Sequence, residues 1–158
     1  MKYFKELECN NMPVISAGIY EFLKTNTDIV EKQQAGWHFV DCKLLLQQVP
    51  ELVDFFKIRN LLPRHAAVTV VLDNNSLPKH IDELPVIAKI NMPVVNTEGW
   101  SNRWYKNDVL VAELNGFSKP TAFNSQIIHS VEQASDSAKS PRIIASFTFH
   151  NEPLDLLK

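Results

Sequence analysis

The chain has 158 residues, 45% of them hydrophobic, with sixteen basic and eighteen acidic side chains and a formal net charge of −2. That suits one domain, 1–158, with an ordinary core, and no basic stripe is present to act as a nucleic-acid footprint. No run of about 18 apolar residues is available to cross a membrane, and Met1–Asn11 (MKYFKELECNN) carries charge but no apolar stretch of the signal-peptide kind. Cys9 and Cys42 are too few for a disulfide framework or a zinc pattern. These features imply a soluble, cytoplasmic protein with reduced thiols, suited to a bacterial cytoplasm or a phage-infected cell.

Asn11, just ahead of Pro13, predicts a helix cap with proline in the first turn. Ile15, Ile19, Phe22 and Leu23 continue at helical spacing to about Thr25. Asp28–Ala35 is polar and reads as a loop or short helix, and Gly36–Val40 as a short strand. Lys43–Gln48 and Pro50–Arg59 predict two short helices, or one kinked at Pro50. Leu52, Phe55, Phe56 and Ile58 would form their buried face. After Leu62-Pro63 the period shortens towards two. Apolar and β-branched runs at His65–Asp73, Val86–Val95, Arg103–Tyr105, Val109–Leu114, Thr121–Phe123, Asn124–Glu132 and Pro141–Phe149 are broken by turn-forming Asp73–Ser76, Asn96–Gly99 and Asn115-Gly116. Short strands at this spacing argue for a sandwich or barrel. With only four glycines in the chain, Asn and Asp must take some left-handed turn positions. The polar break Gln133–Ser140 predicts a hairpin between the last two runs, and 151–158 a short appendage.

The chemistry gathers after the His65–Asp73 run. In the extended stretch Leu77–Asp82 (LPKHID), side chains alternate, so His80 and Asp82 fall on one face about 7 Å apart along the strand and can converge on a metal ion. His129, inside the run Asn124–Glu132, is the candidate third ligand. His38, His65 and His150 fit no part of this pattern and read as structural.

His80-x-Asp82, then His129 47 residues later, then Arg142 opening a Pro-Arg-x-x-x-Ser-Phe strand, resembles the Fe(II)/2-oxoglutarate-dependent oxygenase family. The run Ile90–Glu98 (INMPVVNTE) is similar to the strand and loop that follow the His-x-Asp pair in small bacterial and phage-type members. The resemblance covers roughly 62–149. It implies a mainly β fold with N-terminal helices: a double-stranded β-helix (jelly-roll) core at 62–150, supported by a helical 1–61. It also implies Fe(II) held by His80, Asp82 and His129, with three cis positions left open. The cosubstrate 2-oxoglutarate, O2 and an organic substrate of unidentified structure are the implied partners. The distal carboxylate of 2-oxoglutarate wants a fixed, fork-shaped cation, and the resemblance puts Arg142 there. Many members carry a serine two residues after that arginine, where this chain has Ile144 and offers Ser146 instead.

Asn91, Trp104 and Tyr105 are the candidate pocket wall, with Asn91 and Tyr105 as possible hydrogen-bonding groups for the cosubstrate. A parity count from Asp82 puts Asn91 outside, but a turn at Glu83-Leu84-Pro85 would reset it. The activity implied is hydroxylation with release of succinate and CO2. Two rivals stand beside it. A cupin-like metal-binding protein would more often offer His-x-His, a Glu and glycine-bounded motifs, and an inactive β-helix binding module would not need the triad.

Overall fold

The computed structural model of the protein describes residues 1–9, 35–72, 75–82 and 85–158, with four isolated positions at 19, 21, 22 and 25. Most of the helix expected over 11–25, the loop expected after it, and parts of the turns at 73–76 and 83–85 lie outside the described residues. Ile19, Glu21, Phe22 and Thr25 are helical, and Ile19 is buried. Among the described residues no helix is long and apolar enough to cross a membrane.

The protein is mostly β, with two antiparallel sheets. Its strands are β1 (Phe4–Glu6), β2 (Ala35–Val40), β3 (Pro63–Val71), β4 (Leu77–His80), β5 (Ala88–Val95), β6 (Trp100–Lys106), β7 (Val109–Asn115), β8 (Thr121–Asn124), β9 (His129–Gln133) and β10 (Arg142–Phe149). Two helices, α1 (Cys42–Gln48) and α2 (Glu51–Lys57), separate β2 from β3. The large sheet runs β1-β8-β5-β10-β3-β2 and the small one β4-β9-β6-β7. From β3 onward the chain passes repeatedly between them: β3, β5, β8 and β10 lie in the large sheet, and β4, β6, β7 and β9 in the small one.

The large sheet is covered on both faces, by the helices on one and by the small sheet on the other. All eight residues of β10 are buried. Ile143, Ala145, Phe147 and Phe149 join Val68, Val70, Ile90 and Met92 in a core shared with Leu45, Leu52, Phe55 and Phe56 of the helices. The alternate residues face the small sheet, and there the character is polar: Thr69, Lys89, Asn91, Arg142 and Ser146 are all buried. Asp41 caps α1 by accepting from Leu44 N at 2.9 Å. Ile58, expected on the buried face of α2, is 75% exposed, because the helix ends at Lys57 and Ile58 is already its cap.

Three expectations need correction. The first sixty residues are not only helical support: the short strand expected at Gly36–Val40 is present as β2 and pairs with β3, and β1, which was not expected, pairs with β8 at the opposite edge of the large sheet. β1 is three residues long and leaves no periodicity to read. The run Asn124–Glu132 is not one strand: Asn124 ends β8 in the large sheet, and His129 opens β9 in the small one. Asn124 Oδ1 accepts from Gln126 N at 3.1 Å, a local side-chain turn that bends the chain out of β8. Finally, β9 and β10 form no hairpin: β9 bonds to β4 and β6, and β10 to β3 and β5.

Asn60, Asn96, Asn107 and Asp108 all have positive φ, so Asn and Asp do take left-handed positions. Asn107-Asp108 closes the two-residue hairpin between β6 and β7.

Phe56, 1% exposed, packs its ring 5.0 Å from that of Phe147 and 5.1 Å from that of Phe149. Phe56→Ala is expected to cost about 3–5 kcal/mol, read as a lower urea midpoint at unchanged slope.

Candidate metal centre

The pairing of β4 with β9 sets His80 directly opposite His129, and their ring centroids lie 4.3 Å apart. Asp82 follows two residues beyond His80. Its backbone N–H donates to Ser125 O at 3.1 Å, so the turn after β8 holds it in place. Asp82 Oδ1 lies 3.7 Å from His80 Nε2 and 3.5 Å from His129 Nε2. One ligand atom from each residue falls within 4.8 Å of the others, and the cluster can hold a metal ion.

Hydrogen bonding prepares both rings in the same way. His80 Nδ1 lies 2.7 Å from Pro78 O, and His129 Nδ1 2.8 Å from Ile127 O. A carbonyl only accepts, so each Nδ1 carries a hydrogen, and in the neutral form that binds metals each ring turns a bare Nε2 towards Asp82. Burial pushes the His80 imidazolium down from its ordinary range, which favours the neutral form that binds metals. Burial alone would raise the Asp82 carboxyl. In the metal-free protein a hydrogen bond from His129 in its protonated form, together with the charge and hydrogen bond of Lys89, outweighs burial and holds Asp82 well below the usual carboxylate range. Three lone-pair-bearing atoms that converge this way repel one another unless a cation lies among them, whether a proton on one ring or a metal ion.

The cluster opens on a cavity of about 300 Å³ between the sheets. Lys89, Asn91, Ser146, Ile144 and Thr69 line it from the large sheet, with Trp37 and Ile81 also in its wall. His129 is 8% exposed at its side chain and His80 37%, so the site is reached past His80. Asn91 faces inward, as the turn that resets parity allows. It is buried at 3% and accepts from Ser146 Oγ at 2.7 Å, its cross-strand neighbour on β10. Ser146 therefore reaches the cavity through the same alternation as Ile144.

Arg142 lies on that face of β10, one alternation deeper than Ile144, and does not itself line the cavity. It is completely buried. Its Nη2 crosses to Asn102 Oδ1 of β6 at 3.2 Å, while Nε and Nη1 have no partner. Burial lowers its pKa to about 10, still charged at neutral pH, and among the described residues no carboxylate is paired with it.

Tyr105 is a correction. Trp104 points inward, stacked on Phe4 and beside Phe123, so alternation turns Tyr105 to the other face of the small sheet. There its hydroxyl meets Ser130 Oγ at 3.2 Å and Glu132 Oε1 at 3.4 Å, away from the cavity. Trp104 reaches the cavity only through Phe123.

Sequence reasoning missed Lys89, whose ammonium pairs with Asp82 Oδ2, and Asn102. The signals were faint: a single charge inside the apolar run Ala88–Val95, and one amide between Trp100 and Trp104.

The fold and site thus define a mostly β protein with a candidate His₂–carboxylate metal centre. No protein-family model matches the chain, and no curated protein matches it.

Mn(II) or Co(II) at 100 times its dissociation constant is expected to stabilise the protein by about 2.7 kcal/mol. A chelator should reverse this, and His129→Ala and Asp82→Ala should abolish it, as read by thermal unfolding. In the metal-free protein both lowered pKa values act in one direction. The unfolded chain takes up protons first, so stability falls with pH: through about pH 6.5 for His80 and through about pH 4 for Asp82. His38, also lowered by burial, adds background of the same sign. The expected result is a smaller drop in melting temperature between pH 7.5 and 5.5 in His80→Gln than in the wild type.

Proposed function

We propose that the protein is an Fe(II)- and 2-oxoglutarate-dependent dioxygenase that uses O2 to hydroxylate an organic substrate, one oxygen atom entering the substrate and the other the succinate formed from 2-oxoglutarate, with CO2 released. In this reading the fold is a double-stranded β-helix of the jelly-roll type, and the chain is a small member of the family it resembles. The repeated passage of β3–β10 between two antiparallel sheets supports the fold assignment.

The observation that carries the function is Arg142. A guanidinium with no solvent contact and two unpartnered donor nitrogens, Nε and Nη1, costs the fold several kcal/mol unless an anion completes it. Asn102 Nδ2 beside it is also unpartnered. Together they are unpartnered donors of the kind a carboxylate accepts from. The donor set His80, His129 and Asp82 fits a divalent iron with three positions left open.

Iron held there supplies the oxidation chemistry, and the chain's own residues do the rest. Arg142 and Asn102 bind the distal carboxylate and so orient the cosubstrate's other end towards the triad. Pro78 O and Ile127 O keep both rings in the ligating tautomer. Phe123, Val131 and Ile144 make the inner wall apolar and exclude water. The substrate enters past His80, against Trp37 and Ile81.

Purified protein is expected to form succinate from 2-oxoglutarate only when Fe(II) is added. Iron binding without succinate would leave a metal-binding module instead. Arg142→Met removes the unpaired buried charge, so the ligand-free protein should gain about 1–4 kcal/mol. The same variant should still bind Mn(II) yet lose the melting-temperature rise that 2-oxoglutarate produces in the wild type.

A further inference from the structure

Asp82 divides its two oxygens. Oδ1 faces His80 Nε2 and His129 Nε2 at 3.7 and 3.5 Å, while Oδ2 is paired with Lys89 Nζ. Lys89 belongs to β5, held between β8 and β10 in the large sheet, and is 8% exposed. Asp82 belongs to the loop after β4 in the small sheet. The pair is therefore a tie between the two sheets, made at the metal cluster from a strand that its neighbours fix on both sides. Among the described residues Asp82 is the only ion-pair partner of Lys89.

We propose that Lys89 is a positioning residue that makes Asp82 a one-oxygen metal ligand. A carboxylate beside a hard cation can bind through one oxygen or both. With Oδ2 held by the ammonium, only Oδ1 is free to turn to the ion. The protein then supplies three donor atoms, not four, and a six-coordinate ion keeps three positions for other ligands. Lys89 thus sets the number of open positions without touching the ion. The hydrogen-bonded outer partner also fixes the direction of the donating lone pair, as outer partners of metal ligands commonly do. The bland alternative is a counter-ion that serves only the metal-free protein: a divalent cation would repel the ammonium, which would swing away from Asp82. This inference rests on the metal-centre part of the proposed function and is independent of 2-oxoglutarate.

Loss of a nearby positive charge by itself tightens cation binding, so affinity does not decide the matter and coordination does. The test is the visible spectrum of the Co(II)-loaded protein, compared among the wild type, Lys89→Met, which keeps an unbranched stem, and Lys89→Arg, which keeps the charge and donor. The expected result is a changed band position and intensity in Lys89→Met, as the freed oxygen joins the ion, with the wild-type spectrum restored in Lys89→Arg. A crystal structure of the Mn(II)-loaded wild type should keep Lys89 Nζ within hydrogen-bond distance of Asp82 Oδ2, and this decides the question if Lys89→Met does not fold. Identical Co(II) spectra in a folded Lys89→Met, or an ammonium withdrawn from Asp82 in the Mn(II) structure, would overturn the role. A wild type that binds neither ion would overturn the metal centre and this role together. One that binds them but not 2-oxoglutarate would sink only the oxygenase reading.

Discussion

Two imidazoles face each other because β4 and β9 pair with His80 opposite His129. Slip that register by one residue and each ring turns to the opposite face of its strand. The carbonyls of Pro78 and Ile127 then act through the same backbone: each lies two residues before its histidine and takes the Nδ1 hydrogen. What remains is two bare nitrogens and a carboxylate oxygen, gathered where no proton-rich group separates them. A cation is the natural occupant of such a place. The strands that create it also limit how far it can open, because β9 is bonded on its other side to β6.

The large sheet serves two environments. Its outer face is apolar and welded to α1 and α2 by Phe56, Leu52 and Leu45. Its inner face carries a lysine, an arginine, an asparagine, a threonine and a serine, all buried. Polar groups in such positions oppose folding unless each finds a partner. Ser146 and Asn91 satisfy each other across β10 and β5, and Lys89 is satisfied by Asp82. Arg142 is satisfied only in part. Its two open donor nitrogens are what the proposed function assigns to an anion, and the apolar outer face is the stable support that lets the fold tolerate them.

The two halves of the proposed site lie in different sheets. The triad comes from β4, β9 and the loop that follows β4, whereas Arg142, Lys89, Asn91 and Ser146 come from β10 and β5. Two contacts join them: Lys89 with Asp82, and Arg142 with Asn102. Any change in the spacing of the sheets is therefore felt at both the candidate metal cluster and Arg142.

The sequence by itself determined the β-rich character, the two short helices, and the three residues of the candidate metal cluster. It did so through patterns that need no distant partner: β-branched runs, the alternation that puts His80 and Asp82 on one face, and Asn-rich turns in place of glycine. It pointed to Arg142 only through the resemblance to a family, since alone that residue reads as a solvated strand end, whereas the structure buries it completely. Tertiary structure alone decided which strands share a sheet. The local turn at Asn124 sends β9 into the small sheet, and that choice seats His129 against His80, turns Tyr105 outward, and brings Asn102 beneath Arg142. Lys89 became legible only there as well, because its partner lies in a different sheet and no local period connects the two. Pairings across a gap between sheets depend on how whole layers stack, and the physical reason they escape a linear reading is that backbone periodicity records a side chain's face but not what stands opposite it.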